Sequence, residues 1–113
     1  MITVYTIAFL GSEFLMVLNP GRNGWEMPGG RMEEGESITE AAEREFAEEA
    51  GYAIDVISSV RTDDCHVCAA YLLGKIGNGE FAAKMFSALP EGLAFERSEY
   101  DHVLKWARSV AQQ

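Results

Sequence analysis

The sequence predicts a single α/β domain that covers residues 1–113. Three observations support this class: β-rich apolar segments recur along the chain, two segments have the periodicity of amphipathic helices, and the two kinds of segment are interleaved. A chain of 113 residues has the length of one domain. Its core should remove roughly 65% of the unfolded surface from water. No repeat or linker-like segment divides the sequence.

Five apolar segments have the β-rich composition and flanking turn residues that predict strands. They are residues 2–10, 14–19, 52–60, 65–76 and 82–89. The first of them lacks the basic region and the cleavage site of a signal peptide. No apolar run reaches the ~18–20 residues that a membrane span needs. We therefore expect a soluble, cytoplasmic protein without a membrane partner.

Two helices are predicted from capping signals and apolar periodicity. Ser37 with Glu40 forms a capping box, and Gly51 favours a helix end at about residue 50. Ser98 is the expected N-cap of the second helix, with Asp101 three residues later. The apolar stripe of that second helix consists of Tyr100, Val103, Leu104, Ala107, Val110 and Ala111.

The last two turns of the first helix carry three glutamates, Glu45, Glu48 and Glu49, at the spacing i, i+3 and i+4. They continue its apolar stripe, so we expect the carboxylates to converge beside the core-facing side. Like charges at this spacing repel, and anions in a last turn meet the negative end of the helix dipole. A divalent cation would offset these costs, and oxygen-only ligands favour Mg²⁺ or Mn²⁺ over zinc. The alternative is a solvated, glutamate-rich helix face.

The negative charge of the chain is concentrated around this helix. The formal net charge is −9, and nine glutamates lie between Glu26 and Glu49 against two arginines. Duplex nucleic acid is an unfavourable partner for such a surface. A small phosphorylated substrate is compatible with it, because bound metal ions can reverse the local sign. Arg44 either forms a surface ion pair with Glu48 or orients a metal-binding carboxylate.

The spacing of fixed residues in this region is distinctive. It consists of Gly30, Glu36, Arg44-Glu45, Phe46, Glu48-Glu49, Gly51 and Tyr52. This spacing resembles the Nudix box of the Nudix (MutT-like) hydrolases at every fixed position, and the preceding residues 25–30 resemble the strand and Pro-Gly-Gly entry of that family. The resemblance implies an α/β/α sandwich, with a mixed β-sheet between two helices.

The resemblance also implies a Mg²⁺-dependent pyrophosphohydrolase, with Mn²⁺ as a substitute, that cleaves a nucleoside diphosphate linked to another group. Glu45, Glu48 and Glu49 would bind metal together with the carbonyl of Gly29, and Arg44 would hold Glu45 or its neighbour in place. Glu36 would have a structural role.

The general base implied by the resemblance is a glutamate in a loop before the last strand, and Glu80 occupies about that position. Asp63 and Asp64, on another predicted turn, are the competing candidates. Arg22, in the turn-rich loop before residues 25–30, either contacts a phosphate group of the substrate or is solvated.

Small MutT-like relatives act mostly on nucleoside triphosphates, and residues 89–91 resemble bacterial members that act on oxidised purine nucleotides. The first choice of substrate is therefore a (deoxy)nucleoside triphosphate such as 8-oxo-dGTP. The alternatives are dinucleoside polyphosphates, 5′-triphosphate RNA ends, and a non-catalytic Nudix domain that only binds a ligand. The oligomeric state is left open.

The segment from Cys65 to Cys68 resembles a redox or zinc half-site, but the sequence contains no second pair of cysteines. Residues i and i+3 of a strand point to opposite faces, so the two thiols should not share a ligand. We expect reduced cysteines with a packing role, and His66 has no identifiable catalytic partner.

Overall fold

The computed structural model describes residues 2–63 and 65–111. Its two helices are interleaved with strands, as the sequence predicts. In chain order they are β1 (Thr3–Leu10), β2 (Glu13–Asn19), β3 (Gly24–Glu26), β4 (Gly29–Arg31), α1 (Ile38–Ala50), β5 (Tyr52–Thr62), β6 (Cys65–Lys75), β7 (Ala82–Phe86) and α2 (Arg97–Ala111).

The strands form one mixed sheet in the order β3-β2-β1-β6-β5, with β4 also paired to β1 and β7 to β2. β1 and β6 are parallel, with Thr3 opposite Cys65 and Phe9 opposite Tyr71. The other strand pairs are antiparallel. The parallel pair requires a long crossover between its strands, and α1 lies within that crossover.

The alternation of side chains along β1 divides the core between the two faces of the sheet. Val4 packs in the cluster that contains Phe46 of α1, whereas Ile7 and Phe9 pack in the cluster that contains Val103 of α2. Each helix therefore covers one face. This arrangement confirms the predicted α/β/α sandwich with a mixed sheet.

Both ends of α1 form as the sequence predicts. The hydroxyl of Ser37 accepts from the Glu40 amide at 3.1 Å, and the Glu40 carboxylate accepts from the Ser37 amide at 2.9 Å. Gly51 ends the helix with a φ of 77°, and its amide donates to the Ala47 carbonyl at 3.0 Å. A side chain at Gly51 would be strained in this left-handed conformation.

The β5–β6 hairpin is longer than predicted. Arg61 and Thr62 belong to β5 because they pair with His66 and Cys65, so the turn predicted over residues 61–64 does not include these two residues. Asp63 has a φ of 47°, in the left-handed region. Asp64 lies outside the described residues.

The predicted strand over residues 82–89 is too long, since β7 ends at Phe86. Phe86 pairs with Phe14, next to the first residue of β2, so the pairing between β7 and β2 ends at this point. The Arg108 guanidinium instead donates to the Ser12 carbonyl at 2.9 Å and to the Ser87 carbonyl at 2.8 Å.

The predicted N-cap of the second helix is wrong. α2 begins at Arg97, so Ser98 lies inside its first turn. The hydrogen bond that closes the first turn starts from Glu96, before Arg97, because the Glu99 amide donates to the Glu96 carbonyl at 3.0 Å. Arg97 also donates to the Pro90 carbonyl at 2.9 Å, which ties the helix start to the preceding loop.

The apolar stripe of α2 faces the sheet as predicted, with Tyr100, Val103 and Ala107 buried. His102 is exposed, and Trp106 lies at the partly buried edge of the stripe. Of the helices in the described ranges, none has the length and hydropathy to pass through a membrane.

Candidate active site

The three glutamates at the end of α1 differ in exposure. The Glu45 side chain is 13% exposed and that of Glu48 is 56% exposed, whereas Glu49 is half-buried. The expectation that all three continue the core-facing stripe is therefore wrong for Glu48. Its carboxylate lies on the solvent side because it pairs with Arg44 one turn earlier.

Arg44 is the centre of the ion-pair network at this end of the helix. Its Nε and Nη2 atoms donate to the two carboxylate oxygens of Glu36 at 2.6 and 2.9 Å. Its Nη1 atom donates to Glu45 and Glu48, both at 3.3 Å. Arg44 therefore makes both kinds of contact: it forms a surface ion pair with Glu48, and it also holds the partly buried carboxylate of Glu45. The Arg44 hydrogen bonds, with the Glu33 amide, lower the pKa of Glu36 to about 2.

The two glycines of β4 lie against these carboxylates. The Gly29 amide donates to the Oε1 atom of Glu49 at 3.0 Å. A Cβ atom at Gly30 would overlap the Glu45 carboxylate, and one at Gly29 would overlap β1 at Tyr5. Glycine is therefore required at position 29 for the close approach of β4 to β1, whereas a side chain at position 30 would displace the Glu45 carboxylate.

Glu49 lies in an excess of negative charge. Burial is the main cause that raises its pKa to about 7, and the charges of Glu45, Glu26 and Glu80 add to the effect. The hydrogen bond from the Gly29 amide opposes this shift. Burial and Glu48 also raise the pKa of Glu45. The end of α1 is thus a site where added positive charge would be favourable.

The raised pKa of Glu49 predicts that metal-free protein loses stability as the pH increases from about 5 to about 8. In this range the folded state binds the Glu49 proton more tightly than the unfolded state, so deprotonation favours unfolding. The loss should be on the order of 1–2 kcal/mol, because solvent screens part of a half-buried charge. Urea denaturation of wild type and Glu49→Gln in EDTA across this range measures it. A constant stability difference between the two proteins would contradict the prediction.

The side chains at this site fit a divalent cation by their chemistry, because Glu45, Glu48 and Glu49 supply only oxygen donors in excess negative charge. Within residues 2–63 and 65–111, no three acidic, histidine or cysteine side chains are already arranged around one point as metal ligands. Arg44 holds Glu45 and Glu48, and Gly29 holds Glu49. The role predicted for the Gly29 carbonyl stays a prediction.

The loop before β7 is attached to the same end of α1 by backbone contacts. The amides of Glu80 and Phe81 donate to the carbonyls of Glu48 and Glu49 at 2.9 and 3.0 Å. These carbonyls would otherwise be unpaired at the helix end. A Cβ atom at Gly79 would overlap the Glu49 carbonyl, so glycine permits this contact. The exposed Glu80 carboxylate is close enough to raise the pKa of Glu49, whereas Asp63 lies across β4, in a cleft.

This cleft, of about 530 Å³, lies between β4, α2 and the end of the β5–β6 hairpin. Tyr100 packs edge to face on Tyr5 and Phe95, with ring centroids 5.8 and 6.2 Å apart. Gly29 and Gly30 form part of its lining, and their other contacts are Glu49 and Glu45. The cleft and the carboxylates therefore lie on either side of β4 and meet at its two glycines.

Arg22 and Glu26 form a partly buried ion pair in the wall of the cleft. Glu26 is 3% exposed, and its carboxylate accepts from the Arg22 Nε atom at 2.9 Å. The Arg22 guanidinium lies 5.3 Å from the centre of the Phe95 ring. Arg22 is therefore not simply solvated. The sequence patterns predicted no role for Glu26, and the available signal was a charged residue at the end of a strand next to Met27 and Pro28.

The two cysteines are free and lie on opposite faces of β6, as predicted. Cys65 packs on the α2 side and Cys68 on the α1 side. Burial raises the pKa of the Cys68 thiol to about 11, which disfavours a thiolate. The zinc or redox half-site that the spacing resembles is not formed.

Comparison with known proteins agrees with this geometry. The model of the NUDIX domain family matches residues 2–105, and the chain belongs to the Nudix family. A Bacillus subtilis (strain 168) relative, the uncharacterized Nudix hydrolase YvcI, is 30% identical over 84 residues. That alignment covers 69% of this chain and 53% of YvcI, so the chain spans about half the length of this relative.

Two solved structures resemble the whole domain. An ADP-ribose pyrophosphatase from Streptococcus suis 89-1591 has a TM-score of 0.80 at 22% identity, with 99% of this chain and 92% of that chain covered. The Bacillus subtilis pyrophosphohydrolase BsRppH has a TM-score of 0.70 at 23% identity, with 97% and 80% covered. At such identities the likeness establishes the fold.

Proposed function

We propose that this domain is a Mg²⁺-dependent pyrophosphohydrolase that cleaves a (deoxy)nucleoside triphosphate, such as 8-oxo-dGTP, to the monophosphate and pyrophosphate. One observation carries the proposal. The carboxylates of Glu45 and Glu49 lie against the Gly29–Gly30 backbone at the end of α1, with the exposed Glu48 beside them, and the pKa of Glu49 is raised to about 7 by burial and by neighbouring anions. Without a cation, such a cluster of carboxylates does not stabilise the folded protein. A bound divalent cation would offset the repulsion between them.

In this proposal Glu45, Glu48 and Glu49 hold the metal, with Mn²⁺ as a substitute for Mg²⁺. Divalent metal chemistry at such a site neutralises phosphate oxygens and makes water a better nucleophile. Arg44 positions Glu45 and Glu48 through one guanidinium nitrogen, and Glu36 anchors that guanidinium from the other edge. Glu80 accepts the proton of the attacking water. The backbone bonds of its loop to the last carbonyls of α1 support this role.

The bond that is cleaved can be tested by isotope labelling. With a nucleoside triphosphate in ¹⁸O water, we expect nucleoside monophosphate and pyrophosphate as products, because attack occurs at an internal phosphorus. Mass spectrometry of the products measures which of them carries the label. Release of labelled orthophosphate together with a nucleoside diphosphate would overturn the assignment and indicate a phosphatase.

The assignment of Glu80 as general base has its own test. Glu80→Gln should lower kcat by about 10²–10⁴-fold at saturating Mg²⁺, since the proton acceptor is lost while the loop keeps its backbone bonds. Asp63→Asn is the matched comparison, because Asp63 lies in the cleft on the other side of β4. A Glu80→Gln enzyme with near wild-type kcat, beside an inactive Asp63→Asn enzyme, would transfer the role to Asp63.

The substrate class is decided by a turnover screen with Mg²⁺ in which monophosphate, pyrophosphate and orthophosphate are measured separately. ADP-ribose belongs in the screen because one structural relative is an ADP-ribose pyrophosphatase. Dinucleoside polyphosphates and 5′-triphosphate RNA test the remaining enzyme alternatives. Nucleotide binding without turnover of any of these compounds would favour the non-catalytic domain.

A further inference from the structure

The asparagines of the chain differ in the residue that follows each of them. Asn19 precedes a proline, whereas Asn23 and Asn78 each precede a glycine. In deamidation, the backbone nitrogen of the following residue attacks the side-chain carbonyl carbon of asparagine. Proline lacks the N–H group that this reaction consumes, and glycine lacks the Cβ atom that hinders the approach of the nitrogen. The sequence therefore leaves Asn23 and Asn78 as candidate sites of deamidation.

The backbone of Gly24, which follows the first candidate, is held in the sheet. The Trp25 amide donates to the Gly92 carbonyl at 2.9 Å, and the Trp25 carbonyl accepts from the Ala94 amide at 2.8 Å, so both groups point away from β2. Hydrogen-bonding directions alternate along an antiparallel strand, so the backbone groups of Gly24 point toward β2, where Gly24 pairs with Asn19. A Cβ atom at Gly24 would also overlap the Ala94 backbone. The Gly24 nitrogen therefore cannot turn toward the preceding side chain without breaking this pairing.

The Asn78–Gly79 peptide lies in the loop between β6 and β7 and has no such restraint. Asn78 is exposed. Among the residues that the structure describes, neither its side chain nor the Gly79 amide makes a hydrogen bond. The amides of Gly77 and Glu80, on either side, donate instead to carbonyls at the end of α1, at 3.3 and 2.9 Å. The loop thus holds its flanks and leaves the nitrogen of Gly79 available.

We propose that Asn78–Gly79 is a site of spontaneous deamidation. The Gly79 nitrogen bonds to the Cγ atom of Asn78, and the bond between Cγ and the side-chain nitrogen breaks. The side-chain nitrogen leaves as ammonia with the proton of the Gly79 amide, and a cyclic succinimide remains. Water then opens the ring at either carbonyl, which gives aspartate or isoaspartate. The net reaction consumes water and releases ammonia, without oxidation or reduction.

The modification alters the loop that carries Glu80. Isoaspartate continues the chain through its side-chain carbon, so the backbone before Gly79 becomes longer by one carbon. Gly79 has little room to shift, because even an added Cβ atom would overlap the Glu49 carbonyl. The backbone bond from Glu80 to the Glu48 carbonyl should therefore weaken. The site itself does not depend on the proposed function, which enters only in naming Glu80 as the general base.

The site is tested by incubating metal-free protein in ¹⁸O water at mildly alkaline pH, where the attacking nitrogen loses its proton more readily. Trypsin in ordinary water then cleaves after arginine and lysine and places the three asparagines in residues 1–22, 23–31 and 76–84. By mass spectrometry, the third peptide should gain the label at least about 10-fold faster than the second, because Gly24 must first break a backbone hydrogen bond. Equal rates in these two peptides, or no label in the third, would overturn the proposal.

Asn78→Gln is the matched control, because the longer side chain keeps the amide but must close a larger ring, which forms more slowly. After the same incubation, the melting temperature of wild type should fall by at least about 3 °C and that of Asn78→Gln by less than about 1 °C. An unchanged melting temperature in labelled wild type, or equal losses in the two proteins, would overturn the effect on the loop. Because neither measurement needs turnover, labelling of Asn78 in a protein without hydrolytic activity would refute the proposed function and leave this inference intact.

Discussion

Glu49→Gln should lower kcat by at least about 100-fold without lowering the stability of the metal-free protein. The carboxamide keeps an oxygen that can accept from the Gly29 amide, so the contact between α1 and β4 is retained. It removes a charge that burial and three neighbouring glutamates make unfavourable. Steady-state kinetics at saturating Mg²⁺ and thermal melts in EDTA measure the two effects.

Glu43→Gln is the matched control for this variant, because Glu43 lies on an exposed position of the same helix. It should leave kcat within about 2-fold of wild type, as is usual for a surface substitution away from a site. A similar loss of kcat in both variants would indicate a general effect of helix charge. Near wild-type kcat in Glu49→Gln would remove Glu49 from the active site.

Arg44→Lys should lower both stability and activity although it keeps the charge. The guanidinium makes two parallel bonds to Glu36 and further bonds to Glu45 and Glu48, and a single ammonium cannot reproduce this geometry. We expect the melting temperature to fall by about 4–8 °C and kcat to fall about 10–100-fold. Thermal melts and steady-state kinetics of the purified variant measure both quantities.

Arg61→Lys is the control for a change of arginine chemistry alone. Arg61 is exposed, and among the residues that the structure describes its side chain makes one hydrogen bond, to the Asp63 carbonyl at 3.2 Å. This variant should melt within about 2 °C of wild type. If Arg44→Lys is as stable and active as Arg61→Lys, the Arg44 network does not position the carboxylates.

Local signals predicted the parts of the fold that local interactions determine. The capping box at Ser37 and the left-handed Gly51 depend on residues within one helical turn, and both are present. The end of β7 depends instead on where β2 begins, and the start of α2 depends on Glu96 and its loop. Single-sequence patterns contain no information about such partners, so these boundaries were wrong.

The candidate site likewise combines features that local sequence spacing predicts with features that depend on long-range contacts. The spacing of Glu45, Glu48 and Glu49 placed them on one helix end, and the structure retains them there. Their different exposures follow from long-range contacts: Gly29 bonds to Glu49, and Arg44 also reaches the Arg31 carbonyl. The aromatic cleft joins residues from both ends of the chain, so no local motif could have predicted it.

The most direct test of the metal site is a set of thermal melts of wild type and Glu49→Gln, with EDTA and with millimolar Mg²⁺, each with a non-hydrolysable nucleotide present. A ligand that binds only the folded state raises its stability by mass action. We predict that Mg²⁺ raises the melting temperature of wild type by at least about 3 °C and that of Glu49→Gln by much less. A wild-type melting temperature that neither Mg²⁺ nor Mn²⁺ changes would contradict a metal site at the end of α1.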